Sequence, residues 1–560
     1  MISKRVVTRI VLPTLFFLLV PAYLVASSSQ GDVASKLVVM TERGPVEGIA
    51  TATIRRFLGI PYAAPPVGKL RWRPPQAHLR WHEPLDANKF GAHCPQDASF
   101  FGIASVNEGC LFLNVFAPND EATGGSKSRR YPVMVWIHGG ALTVGESNDY
   151  IPTKLVHQGD VIVVTINYRL GALGFLAHPA LTAESVQHAS GNYGIMDQQF
   201  ALKWVRRNIA AFGGDPHDIT IFGESAGGLS VLANLVSPLI TEVFQRTIVE
   251  SGAYELSLPT LEDAESKGTD FAKSVGCSNQ SAECLRSASV ETILANQGGF
   301  LGTSPNVDGY VLHQSLDAAF ANGQFNRVPV VQGSNHDEMT FFVALDELAG
   351  HALTAEEYPF AVADFVGPEA APAVLAQYPL SKYTSPGSAL SALETDSIFA
   401  CPARKLDQFL SANVPTFAYE FNDINAPEIY LPPVSFPYGA AHAAELQYLF
   451  ELPQSVPLDA SQRELSTDMV RYWTQFARSG EPNSVVTAFW SRYDPTVDEF
   501  QSLAPPSPVT EFGFATDHKC DFWDQLFQAS SGDQASGVQR AIRKLRIAPR
   551  GVFWGQEKGR

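Results

Sequence analysis

The pentapeptide Gly223-Glu224-Ser225-Ala226-Gly227 constrains the fold more than any other stretch of this chain. It follows DITIF (218–222), a short apolar run of strand character. It precedes AGGLSVLANLV (226–236), which has apolar residues at helical spacing. The bare pattern Gly-x-Ser-x-Gly is weak, because a glycine-containing chain meets it by chance. Between a strand and a helix it means more. A sharp strand-to-helix turn forces its serine into strained backbone geometry and lifts the hydroxyl clear of the sheet. The plainer alternative is a serine that caps the following helix.

The surrounding chain supports a layered α/β architecture. Tyr131 to Gly140 (YPVMVWIHGG) and Val161 to Leu170 (VIVVTINYRL) are nearly continuous runs of β-branched and aromatic residues. Such runs suit strands buried on both faces of a largely parallel sheet. Thr247 to Glu250 and Val328 to Gln332 read as two further strands. Gly194 to Phe212 carries Ile195, Ala201, Leu202, Val205 and Ile209 at helical spacing and stops at Gly213-Gly214. Strands alternating with helices make an α/β domain. The stretches from about 256 to 326 and from about 345 to 410 are rich in helix formers and read as helical insertions into that domain. Gly124 to Arg130 reads as a polar surface loop.

Hydrophobic residues make up 45% of the 560, and charged residues 17%. That supports a large core and argues against a disordered chain. The formal net charge of -17 argues against nucleic acid or an anionic membrane surface as partner. The first 26 residues combine Lys4, Arg5 and Arg9 with an apolar stretch and a small-residue exit at Ala26, the layout of a secretory signal. Pro13 and Pro21 and its short length count against a membrane anchor. Six cysteines behind such a leader favour disulfides, and their fifteen possible pairings stay open from spacing alone. No zinc-type spacing occurs. The expected organisation is a signal peptide over 1–26, one domain over 27–529, and a basic, loosely attached tail over 530–560. The expected location is outside the cell, or the periplasm of a bacterium.

The chain resembles the type-B carboxylesterases, a family that also holds cholinesterases and fungal lipases. The resemblance rests on FLGIPYAAPPVGKLRWRPP (57–75), CLFLNVFAP (110–118), PVMVWIHGG (132–140), NYRLGALGFL (167–176), the long segment 191–228 ending in GESAGG, VESG (249–252), GSNHDE (333–338), GAAHAAELQYLF (439–450) and YWTQFARSGEPN (472–483). It implies the α/β-hydrolase fold and an ester hydrolase acting through an acyl-serine.

A serine hydroxyl needs a base, and the base an orienting carboxylate. In this fold the chain order is serine, acid, histidine. The resemblance puts these at Ser225, Glu338 and His442. Asp337 is the alternative acid, and His336, His351 and His518 are the histidines that residue type alone would leave in contention. It also implies oxyanion donors at the backbone N–H groups of Gly140, Ala141 and Ala226. Many relatives carry a glycine where this chain has Ala141. Glu224 and Ser251 are expected to stand around the triad in supporting roles. The same resemblance implies the pairs Cys94–Cys110, Cys277–Cys284 and Cys401–Cys520. The Cys94–Cys110 loop is short for a lid, and it departs from the pattern in which this loop carries an aromatic choline-binding residue. Asn279 heads the one glycosylation sequon. No metal or organic cofactor is expected, and the partner is a small-molecule ester. The rival readings are a lipase for longer-chain glycerides and a non-catalytic binding protein of cholinesterase type; the latter is disfavoured by an intact set of triad residues.

Overall fold

A run of buried parallel strands organises the protein, and the sequence explains why they sit at the centre. In the computed structural model, which describes residues 35–119, 130–298 and 303–529, thirteen strands form one sheet. The expected signal segment, the tail 530–560 and all but Arg130 of the loop expected from Gly124 lie outside the described residues.

The flank of the sheet is antiparallel: β1 (Ser35–Met40), β2 (Pro45–Ala50), β3 (Ile54–Pro61) and β5 (Phe112–Pro118) follow one another, with the two-residue β4 (Leu85–Asp86) paired in parallel to β2. The core is parallel: β6 (Tyr131–Ile137), β7 (Ile162–Ile166), β8 (Gly214–Glu224), β9 (Arg246–Glu250), β10 (Val330–Asn335), β11 (Thr416–Phe421) and β12 (Phe500–Leu503), closed by an antiparallel β13 (Val509–Glu511). Every residue of β6, β7, β10 and β11 is buried, as the unbroken apolar runs require of strands covered on both faces. The fold is the α/β hydrolase type inferred from sequence.

The spatial order is β5-β7-β6-β8-β9. From β6 the chain steps to β7 on one side, then crosses back to β8 on the other. The strand direction of travel therefore reverses around β6. In open α/β sheets the crevice for a ligand lies beyond the carboxyl ends of the strands at such a point. Here those ends are Ile137, followed by His138-Gly139-Gly140, and Glu224, followed by Ser225.

The two stretches read as insertions are helical. The first holds Leu261–Ser274, Ala282–Ser287, Val290–Asn296 and Leu316–Ala321; the second holds Thr340–Leu348, Tyr358–Val366, Ala371–Gln377, Pro386–Glu394 and Cys401–Ser411. A wider π-helical turn, Thr395–Ala400, is inserted before the last of these and is buried throughout. Such turns change which residues share a face and recur at functional sites. The strands end earlier than the apolar runs suggested, β6 at Ile137 and β7 at Ile166. The residues beyond them leave the ladder to build the site.

Three disulfides close: Cys94–Cys110, Cys277–Cys284 and Cys401–Cys520. Among the described residues no helix is long and apolar enough to cross a membrane.

Candidate active site

Ser225 occupies the turn between β8 and the helix Ala226–Val236, with φ 56° and ψ -121°. A side chain rarely adopts a positive φ, and the cost is of order 1–3 kcal/mol. The surroundings impose it. Ser225 N–H donates to Glu250 O at 2.9 Å, and Ser225 O accepts from Leu229 N–H at 2.9 Å. The flanking glycines have a steric reason. A Cβ on Gly227 would lie 2.0 Å from Ile137 O, and one on Gly223 would lie 2.5 Å from the same oxygen. The helix and β6 can approach this closely only without side chains at both positions.

His442 reaches the site from the loop after Tyr438. Its Nδ1 lies 2.5 Å from Oε2 of Glu338, and the other oxygen of Glu338 accepts from Asn335 N–H at 2.8 Å. The imidazole packs between Phe342 and Phe399, with ring centroids 5.1 and 5.2 Å away. His442 and Glu338 are both buried. Asp337, the alternative acid, faces elsewhere: it pairs with His336 Nδ1 at 3.0 Å and accepts from Ala440 N–H at 2.9 Å. Of the other histidines in contention, His518 is held between Asp396 and Glu420, and His351 is exposed.

The second imidazole nitrogen faces another carboxylate. His442 Nε2 lies 3.1 Å from Glu224 Oε1, close enough for an ion pair but not aligned for a hydrogen bond. No Ser225–His442 hydrogen bond is formed. Catalytic hydrogen bonds often tighten only when substrate is bound. Burial lowers the His442 pKa, but the charges of Glu224 and Glu338 outweigh it and hold it raised to about 9.

Two further carboxyls escaped sequence reasoning. Glu250 and Glu445 are fully buried beside this pair. Burial raises Glu250 to about 8, with Glu445 adding to it, while Trp473 Nε1 donates to its Oε1 at 2.9 Å. Burial raises Glu445 to about 7, although Asn335 Nδ2 donates to its Oε2 at 2.6 Å. The signal for Glu445 was a lone acid in the apolar stretch AAHAAELQYLF. Glu250 lies within a motif already quoted, VESG. Ser251 Oγ is buried with no hydrogen-bond partner.

Gly140 and Ala141 both have positive φ, 100° and 54°. Gly140 O accepts from Thr143 N–H and Val144 N–H, both at 3.0 Å, which curls the segment into a tight turn. The first N–H groups of the helix beginning at Ala226 have no acceptor within the helix. Gly140, Ala141, Ser225 and His442 line one cavity of about 790 Å³, mouth included. Its other walls are largely aromatic and aliphatic: Phe101, Tyr150, Tyr254, Met339, Phe342, Ile398, Phe399 and Leu446, with Glu224, Glu255 and Thr303. The Cys94–Cys110 loop supplies an aromatic wall residue. Phe101 packs on Tyr430 at 4.9 Å and Phe341 at 5.6 Å. The adjacent pair Phe100-Phe101 was the available signal. Ile398 and Phe399 come from the π-helical turn.

A family model described as "Carboxylesterase family" matches residues 35–523. Similar proteins include the fumonisin B1 esterase of Sphingopyxis macrogoltabida, 35% identical over 82% of this chain and 85% of that protein. The para-nitrobenzyl esterase of Bacillus subtilis is 34% identical over 81% of this chain and 92% of that protein. The human cocaine esterase is 32% identical over 88% and 92%. A solved structure titled as a thermophilic PNB esterase superposes with a TM-score of 0.74 at 32% identity, covering 87% of this chain and all of that one.

Proposed function

The chain belongs to the carboxylesterase family, and from that premise we propose that it hydrolyses carboxylic esters of short or medium acyl length through an acyl-serine, with Ser225 as nucleophile, His442 as base and Glu338 as the orienting acid. The 2.5 Å contact between His442 and Glu338, opening onto the same cavity as Ser225, is the observation that carries this reading.

Glu338 fixes the imidazole with Nδ1–H toward its carboxylate, which leaves Nε2 as the basic nitrogen. Nε2 takes the Ser225 proton as Oγ attacks the ester carbonyl. The oxyanion of the tetrahedral intermediate is held by the N–H groups of Gly140, Ala141 and Ala226. Collapse breaks the ester C–O bond, and the imidazolium returns its proton to the departing alkoxide. Water then repeats the sequence on the acyl-serine and releases the acid. Neither half calls for a metal or an organic cofactor. Glu224 and Ser251 serve the triad's surroundings and not the bond-breaking.

We further read residues 1–26 as an export signal, 27–529 as one catalytic domain and 530–560 as an appended tail. Three disulfides suit an oxidising compartment outside the cytosol. The lipase reading is not favoured: the relatives are esterases by name.

The test is active-site labelling with a fluorophosphonate, followed by peptide mapping, alongside turnover of para-nitrophenyl butyrate. Labelling of Ser225 and its loss in Ser225→Ala are expected. A label on another serine would overturn the assignment.

A further inference from the structure

Beyond the cavity, three side chains converge for which the hydrolytic reading has no use. His336 follows β10, Glu420 lies in β11, and His518 stands two residues before the disulfide at Cys520. One ligand atom from each lies within 4.8 Å of the other two. Glu420 and His518 are buried, and His336 is half-buried. We propose that His336, Glu420 and His518 form a binding site for one divalent transition-metal ion of the zinc class.

The arrangement around the three residues is that of a prepared site. Metal-bound histidines characteristically donate their remaining ring N–H to a carboxylate, which fixes the tautomer and the ring direction. Both histidines have such a partner. His518 Nδ1 lies 2.6 Å from Asp396 Oδ1, and His336 Nδ1 lies 3.0 Å from Asp337 Oδ1. In each ring the nitrogen left to coordinate is Nε2. That of His518 faces Glu420 Oε1 at 2.6 Å. Without an ion, Nε2 of His518 carries a proton and donates it to that oxygen. A proton would satisfy those two atoms. An ion would in addition bring in His336, which its own aspartate orients and whose ligand atom lies within 4.8 Å of theirs.

Two imidazoles and one carboxylate suit zinc, and three protein ligands leave a fourth position for water. Tetrahedral ligands about zinc stand roughly 3.3 Å apart, so an ion would draw His336 inward and push His518 Nε2 and Glu420 Oε1, 2.6 Å apart, away from each other by about 0.7 Å. The same ion would tie the segment leading to Glu338 to β11 and to the C-terminal helix. Asp337, which orients His336, also holds Ala440 N–H, two residues before His442. The ion's place is structural and lies outside the ester-cleaving steps.

Purified full-length protein, equilibrated with zinc or cobalt(II) and dialysed against metal-free buffer, tests the site. About one equivalent per chain should remain by elemental analysis. The cobalt form should show the intense visible bands of a low-coordinate site, and chelation should lower the melting temperature. His336→Ala should lose the bound metal and the chelator-dependent shift while retaining its fold. His518→Asn should lose the metal too, and where it fails to fold, His336→Ala decides. Absence of retained metal in the parent, or full retention by His336→Ala, overturns the proposal.

Discussion

Nε2 of His442 stands 3.1 Å from Oε1 of Glu224, the residue immediately before the nucleophile. The nitrogen assigned to take the serine proton therefore faces an acid with which it shares charge. This contact, together with the Glu338 pair, governs when the base is free.

The pH dependence follows. Burial alone would lower the His442 pKa, but Glu224 and then Glu338 hold it raised to about 9. The base must be neutral to act, so kcat/KM should climb with pH through an apparent pKa above the ordinary histidine value of about 6.5. Glu224→Gln removes the larger of the two opposing charges and should move that limb toward acid. A pH–rate profile of parent and variant measures both. An unmoved limb in the variant would mean that Glu224 carries no charge the histidine feels.

Glu250 should make the protein lose stability as pH rises from about 4.3 to about 8. Its folded pKa is raised to about 8, above the unfolded value near 4.3. The folded state thus binds the proton more tightly. The associated stability is complete below the unfolded value and is lost as pH rises through the folded one. Glu250→Gln keeps an oxygen for Trp473 Nε1 and cannot ionise. It should gain over the parent by on the order of a few kcal/mol at pH 8 and by little at pH 5. Urea melts at the two pH values give the difference.

Backbone strain at the nucleophile predicts an inverse relation between activity and stability. Ser225→Ala and Ser225→Gly should both abolish turnover. Only glycine relaxes φ 56°, ψ -121°. After glycine's own entropic cost, Ser225→Gly should still exceed Ser225→Ala by about 1 kcal/mol. Equal midpoints in denaturant would show the turn to be unstrained.

The three disulfides should differ in worth according to the loops they close, with sequence separations of 7, 16 and 119. Paired Cys→Ser changes should cost about 2, 3 and 5 kcal/mol in that order. A smaller loss for Cys401–Cys520 than for Cys277–Cys284 would contradict the loop-closure account.

Charge selectivity follows from the cavity wall. Among the described residues no Lys or Arg lines it, while Glu224 and Glu255 do. Neutral aryl esters should be turned over with kcat/KM at least about tenfold above analogues whose acyl group ends in a carboxylate, a difference of about 1.4 kcal/mol. Matched para-nitrophenyl butyrate and hemisuccinate make the comparison. Equal rates would place the acyl group away from these carboxylates.

What the sequence revealed depended on how local each signal is. The turn at Ser225 was legible because a strand, a glycine pair and a helix are contiguous there. The buried parallel strands were legible because covering both faces leaves no polar alternation. Their ends were less so, since Ile137 and Ile166 stop the ladder where the chain must bend and not where hydrophobicity ends. Phe101, Ile398 and Phe399 were unreadable as cavity walls. Their side chains meet through an insertion, a disulfide loop and a π-helical turn that no local period encodes. Glu250 and Glu445 were passed over for a related reason. A carboxylate's burial depends on packing partners hundreds of residues away, such as Trp473 for Glu250.

The scatter of the site along the chain has a kinetic consequence. Glu338 and His442 are 104 residues apart, and Ser225 sits on a parallel ladder that closes only through crossovers. Long-range parallel pairing is slow to form. During refolding from denaturant, secondary structure and burial of tryptophan should return first, and ester cleavage last. The rate at which cleavage returns is then a clock for the final docking of the His442 loop, read without any label on the protein.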